Sequence, residues 1–169
     1  MKGLESIGKS DVGRDRQHNE DCFVIEQQQQ IGSWNPQAIA CGLYIVCDGM
    51  GGHAGGEIAS AIAVRRLMDY FKELPQNRLL TEDNLKDAIY AANQAIYLHN
   101  ERQSRSQKER MGTTVVVAVV ENTQVRIAHV GDSRLYRMTR QHGLEQLTLD
   151  HDIGQQWIRK GIDPTDAYA

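Results

Sequence analysis

Between Thr113 and Leu147 the β-rich runs follow one another so closely that few folds remain open to the chain. Thr113–Val120, Val125–Val130 and Ser133–Met138 are separated by short turns at Glu121-Asn122-Thr123 and at Gly131-Asp132. A fourth run, Leu144–Leu147, follows Gln141-His142-Gly143. Connections this short join antiparallel neighbours, because a parallel crossover needs about a dozen residues or more. The spacing predicts an antiparallel meander, with Gly131-Asp132 taken alone as a tight hairpin turn.

Two further strands precede it. Cys22-Phe23-Val24-Ile25 is rich in β-formers, and Leu43-Tyr44-Ile45-Val46-Cys47 is a continuous apolar run, which predicts a strand covered on both faces. Ile7–Val12 reads as a short extended piece, and the polar, glutamine-rich stretch from Gln27 to Ser33 as a loop. Between the two groups of strands the period changes to helical. Ala59, Ile62, Ala63, Leu67, Tyr70, Phe71 and Leu74 form one apolar stripe, closed by Pro75. Leu85, Ala88, Ile89, Ala92, Ile96 and His99 form a second, with Thr81 as its N-cap. Glu101–Arg110 reads as an exposed polar loop, and Ile153–Lys160 as a short helix ended by Gly161, with Asp163-Pro164 opening another. The predicted class is α+β: one domain over residues 1–169, with two helices packed on a sheet face.

Composition narrows the function. Nineteen basic and 22 acidic side chains in 169 residues give a net charge of −3, which argues against a nucleic-acid binder and a polybasic membrane anchor. No stretch is long and apolar enough to predict a spanning helix, and Met1-Lys2-Gly3-Leu4-Glu5 has no signal-peptide character. Cys22, Cys41 and Cys47 are odd in number and form no Cys-x-x-Cys pair, as expected of buried thiols in a reducing cytoplasm.

Three segments could carry chemistry. Asp48-Gly49 ends a strand and opens a glycine-rich stretch. An aspartate there can lean outward as a ligand, and the neighbouring glycine leaves its carbonyl open to a hard cation. The same residues also suit a plain glycine-rich turn. A dinucleotide loop fits poorly, because no second strand ending in an acid follows, and this glycine-rich stretch does not end in the Gly-Lys-Ser/Thr that a P-loop needs. Arg16-Gln17-His18-Asn19-Glu20-Asp21 combines an arginine suited to phosphate with adjacent carboxylates. Gly131-Asp132-Ser133-Arg134 lies between two strands.

In this order the segments resemble the metal-dependent protein serine/threonine phosphatases (PPM type, also called type 2C) in their bacterial form. The resemblance rests on Arg16-x-x-Asn19-Glu20-Asp21, Val46-Cys47-Asp48-Gly49-Met50-Gly51-Gly52-His53-x-x-Gly56-Glu57-x-Ala59-Ser60, Met111-Gly112-Thr113-Thr114, His129-Val130-Gly131-Asp132-Ser133-Arg134-x-Tyr136 and Leu147-Thr148-x-Asp150-His151. It implies an antiparallel β-sandwich flanked by helix pairs, with metals at one edge. The cofactor would be Mg²⁺ or Mn²⁺, two ions bridged by Asp48 with the Gly49 carbonyl on one, and Asp132 resembling the ligand of an additional third. Glu20 and Asp21 would serve the metal shell, directly or through water. Arg16 would hold the substrate phosphate and His53 would protonate the leaving alcohol. Thr113 and Thr114 would be structural. The implied activity is hydrolysis of phosphoserine and phosphothreonine in proteins; the alternative is a catalytically silent module that binds a partner or phosphoprotein.

The family completes one metal shell with two further aspartates, in a Ser-Asp-Gly segment and an Asp-Asn pair that are both expected beyond the point where this sequence stops; no Ser-Asp-Gly occurs in it. The expectation is a catalytic domain lacking its C-terminal part, with one metal weakly held in the piece alone.

Overall fold

The computed structural model describes residues 4–27, 41–51, 55–75, 80–103, 109–161 and 163. Its strands are β1 (Asp21–Gln27), β2 (Cys41–Met50), β3 (Gly112–Thr113), β4 (Val115–Glu121), β5 (Gln124–Val130), β6 (Tyr136–Thr139) and β7 (Gly143–Gln146). Helices α1 (Gly55–Glu73) and α2 (Glu82–Arg102) lie between β2 and β3, and α3 (Ile153–Arg159) follows β7.

Strands β1-β2-β4-β5 form an antiparallel sheet in that order, with β3 extending the pairing at the end of β2. The two helical stripes pack on one face of it. Ala59, Ala63, Leu67 and Phe71 of α1 and Ala88 and Ala92 of α2 are buried with Leu43, Ile45 and Cys47 of β2 and Val117 and Val119 of β4. Repeated alanines let the helices sit close to each other and to the sheet, while Leu67 and Phe71 supply bulk worth roughly 2–3 kcal/mol each by area removed from water. Helix α2 opens as the sequence predicts. The Thr81 hydroxyl accepts from the Asn84 N–H, and the Asn84 side chain accepts from the Thr81 N–H, a reciprocal cap.

Four expectations are corrected. Strand β2 is not covered on both faces: Leu43, Ile45 and Cys47 are buried, but Val46 between them is 47% exposed. The strand buried at successive positions is instead β4, from Val115 to Val119. The meander breaks after β5, because β6 pairs with β7 in a separate two-stranded sheet and not with β5. Gly131-Asp132 is therefore an exit from the large sheet and not a hairpin turn. Residues 7–12 join no sheet ladder, which an extended piece does not require, and Gly8 sits so close over the Phe23 ring that a Cβ there would fall 2.1 Å from it. Finally, α2 runs on through Glu101 and Arg102, the first residues of the expected loop. The Gln27–Ser33 loop (beyond Gln27) and the start at Pro164 lie outside the described residues.

The stripe of α2 ends on a polar residue that periodicity passes over. Asn100 is buried, donates from Nδ2 to the Met111 carbonyl at 3.0 Å and accepts from the Met111 N–H at 3.1 Å. His99 beside it is only half-buried. This amide fixes the chain just before β3, which in turn pairs with the end of β2. Asn100→Ala leaves a buried donor and a buried acceptor without partners, and is expected to cost about 2–4 kcal/mol. A denaturant midpoint lowered with unchanged slope would register it.

Candidate metal and phosphate site

The site forms where β1 and β2 run out at the same edge. In the antiparallel register Asp21 stands directly opposite Asp48, so both carboxylates share one face and one end of the sheet. Two neighbouring threonines fix the backbone of Asp48. Its N–H donates to the Thr114 hydroxyl at 3.0 Å, and its carbonyl accepts from the Thr114 N–H at 2.8 Å and the Thr113 hydroxyl at 2.9 Å. The expected structural role of these threonines is met in this way.

Asp132 reaches the same corner from β5. The chain turns at Gly131 with φ 99°, where a Cβ would meet Thr114 Cγ2 at 2.7 Å, so a side chain here is barred by backbone and by space. Ser133 Oγ then lies 2.6 Å from Thr114 Oγ1. Thr114 therefore ties the segment that carries Asp132 to the one that carries Asp48.

Glu20 arrives from the loop before β1. Its carbonyl accepts from the Gly49 N–H at 3.1 Å, and a Cβ on Gly56 would lie 2.5 Å from Glu20 Oε1. The Glu20 carboxylate thus rests against the first turn of α1, where the helix dipole favours negative charge. Arg16 Nη1 stands 3.4 Å from Glu20 Oε2, with the arginine side chain 77% exposed and free to reach outward. Asn19 accepts the Asp21 N–H at 3.0 Å and donates to Ser10 Oγ at 2.6 Å, which locks the turn into β1.

The electrostatics at this corner are those of an unneutralised anion cluster. The Asp48 carboxyl is held above its ordinary value, first by burial, then by the charge of Asp21 and of Asp132, by a hydrogen bond with Asp21, and by the charge of Glu20. All four groups offer hard oxygen donors, the kind that Mg²⁺ and Mn²⁺ take. Among the described residues no three His, Cys, Asp or Glu side chains close into a single cage. An open edge of carboxylates suits cations that keep much of their shell as water, bound through one or two carboxylates each.

The structure thus brings together Arg16, Glu20, Asp21, Asp48, Gly49 and Asp132. His53, the expected proton donor, lies outside the described residues. Sequence reasoning gave no role to Ser10 or Ser133 and no site contact to Thr114. Their hydroxyls act through tertiary contacts, and only the Asn19-to-Asp21 spacing of an Asx turn left a local signal.

A sheet edge lined with carboxylates beside an outward-reaching arginine offers hard oxygen donors for cations and a planar fork suited to an anion. Residues 14–154 match the family described as protein phosphatase 2C, and the chain belongs to that family. It is 40% identical to the serine/threonine phosphatase stp of Listeria monocytogenes serotype 4b over 94% of this chain and 60% of the relative. It is 31% identical to the serine/threonine protein phosphatase PstP of Mycobacterium tuberculosis, over 98% of this chain and 29% of that protein. The crystal structure of the Mycobacterium tuberculosis phosphatase PstP/Ppp superposes with a TM-score of 0.72 at 32% identity, covering 94% of this chain and 60% of that one. A PstP catalytic domain in complex with two manganese ions matches with a TM-score of 0.70 at 33% identity, over 95% and 62% of the two chains. The fold is that of a bacterial PPM-type phosphatase catalytic domain, and the chain spans about 60% of the length of these relatives' matched structures.

Proposed function

We propose that the protein carrying this chain hydrolyses phosphoserine and phosphothreonine in proteins with the help of Mg²⁺ or Mn²⁺, and that residues 1–169 form part of its single catalytic domain. The observation that carries this reading is the position of Asp48, raised by burial and by three carboxylates converging on it. Asp48 and Asp21, with the Gly49 carbonyl, would hold two ions, Glu20 would support them from the loop before β1, and Asp132 would take a third. When bound, the cations lower the pKa of water towards neutrality and clamp the attacking and leaving oxygens. Arg16 swings from Glu20 to pair with the dianionic phosphate, a role that suits its planar fork. His53 donates the proton to the departing serine or threonine oxygen, a contribution of about 10²–10⁴ in rate.

The substrates are phosphorylated proteins; neither nucleic acid nor a membrane has a part in this reading. Among the described residues no helix is long and apolar enough to cross a membrane, and the proposed compartment is the cytoplasm. The test is hydrolysis of a phosphothreonine peptide with Mn²⁺, by the chain and by a C-terminally extended form. Turnover that EDTA removes supports the reading. A folded, extended form that leaves the peptide intact at saturating Mn²⁺ contradicts it.

A further inference from the structure

We propose that the segment Thr148–His151, acting through the Arg134–Asp150 ion pair, is a brace that holds Asp132 in place for its cation. The proposal rests on the reading of Asp132 as a metal ligand given above. Asp132 lies two positions after the last residue of β5 and four before the first of β6, so no sheet ladder fixes it. The segment after β7 supplies what the ladder does not. His151 N–H donates to the Gly131 carbonyl at 3.0 Å, one residue before Asp132. Arg134, two residues after it, grips Asp150 through Nε at 2.9 and 3.0 Å and through Nη2 at 2.6 Å. The Leu135 N–H donates to the Thr148 hydroxyl at 3.0 Å. On the strand side, His129 Nε2 lies 2.8 Å from the Leu149 carbonyl, and its ring stacks on that of His151 with centroids 4.6 Å apart.

Bonds therefore fall on both sides of Asp132 and come from one short segment. Two of its polar residues, Thr148 and Asp150, are buried although they belong to no helix or strand. A buried carboxylate is costly unless its lone pairs are filled. Here Arg134 fills them, aided by Gln146 Nε2 at 3.2 Å, and this holds the Asp150 carboxyl below its usual range. Closing the β6–β7 hairpin would not require this arrangement, since the hairpin has its own four-residue ladder and its own Arg137–Glu145 pair. The brace instead gives the five-residue exit loop between β5 and β6 a fixed shape, and the residue it fixes is the acid whose charge acts on Asp48. Arg134 and Asp150 are positioning residues in this account. Partners of that kind set ligand orientation, and their loss typically weakens metal binding about 10–100-fold.

The experiment is Mn²⁺ titration of the 169-residue chain by calorimetry, with the metal-free melting temperature followed in parallel. The variants are Asp132→Asn, Arg134→Lys, Asp150→Asn, and the latter two combined with Asp132→Asn. Arg134→Lys and Asp150→Asn should each weaken one class of Mn²⁺ site about 10–100-fold, and should change nothing further once Asp132 is asparagine. A loss of equal size with and without Asp132 would overturn the brace, as would a lowered melting temperature with Mn²⁺ binding unmoved. If Asp150→Asn leaves too little folded chain to titrate, Arg134→Lys carries the comparison, because its side chain is half-exposed and keeps its charge. An Asp132→Asn chain that binds Mn²⁺ as the parent does would instead remove the ligand itself, and the brace with it.

Discussion

Asp48→Asn is expected to lower Mn²⁺-dependent phosphatase turnover by about 10³-fold or more, roughly 4 kcal/mol of barrier, while making the metal-free chain more stable. Both effects follow from the same geometry. Asp48 carries a charge that burial disfavours and that Asp21, Asp132 and Glu20 repel. An amide of the same size removes that repulsion, and because the carboxyl is partly exposed the gain is no more than about 1 kcal/mol. Adding Mn²⁺ should reverse the order. The parent gains about 2.7 kcal/mol at a hundredfold excess over its dissociation constant, and the variant, lacking the bridging ligand, gains much less. Melting curves with and without Mn²⁺ would show the crossing. A variant less stable than the parent in EDTA would mean that Asp48 is held by favourable contacts and not poised for a cation.

Gly49→Ala should be among the most damaging single-methyl changes in the chain. A Cβ at Gly49 would lie 2.0 Å from the Gly56 carbonyl oxygen and 2.8 Å from the Glu20 carbonyl oxygen. Both neighbours are backbone, so no side chain can swing aside, and either β2 or the start of α1 must retreat. Overpacking of this kind costs typically 1–3 kcal/mol and sometimes more; the expected loss is about 3 kcal/mol, or roughly 6–12 °C in melting temperature for a chain of this size. Gly143→Ala is the control. Gly143 has φ 66° but open space around its Cβ, so it carries only the left-handed backbone strain of about 1–2 kcal/mol. If Gly49→Ala melts no lower than Gly143→Ala, the close approach of β2 to α1 is not what holds the site together. The same contact explains why glycine suits a ligand position here: the residue whose carbonyl is expected to face a cation is pressed between two backbones.

Much of this was legible in the sequence because local chemistry decided it. The Thr81 cap, the Pro75 stop and the two apolar stripes depend on neighbours three or four residues away, and the helices fall where those neighbours put them. The acids of the site were legible for a different reason: their residue types and order match a family, and the register Asp21↔Asp48 joins them in space. What was not legible depends on contacts far along the chain. The outer side of β2 at Val46 stays exposed because only the helix-packed face is filled, and hydrophobicity alone cannot say which side a partner covers. The exit of the chain at Gly131 looked like a hairpin because its length permits one. What diverts it is the segment 148–151, which pairs with residues 131–135 and leaves β6 to pair with β7. Asn100 closes α2 through a bond to Met111, a partner that no helical period announces.

The central claim is that divalent cations bind at the corner shared by Asp21, Asp48 and Asp132, and paramagnetic NMR with Mn²⁺ reads it directly. Substoichiometric Mn²⁺ added to the ¹⁵N-labelled chain should broaden first the amides of residues 20–22, 47–51 and 131–133, leaving those around Glu82, Asp83 and Asp87 on α2 sharp. Asp48→Asn should abolish that selective loss. Broadening that begins on α2, or that is the same in parent and variant, would contradict the account.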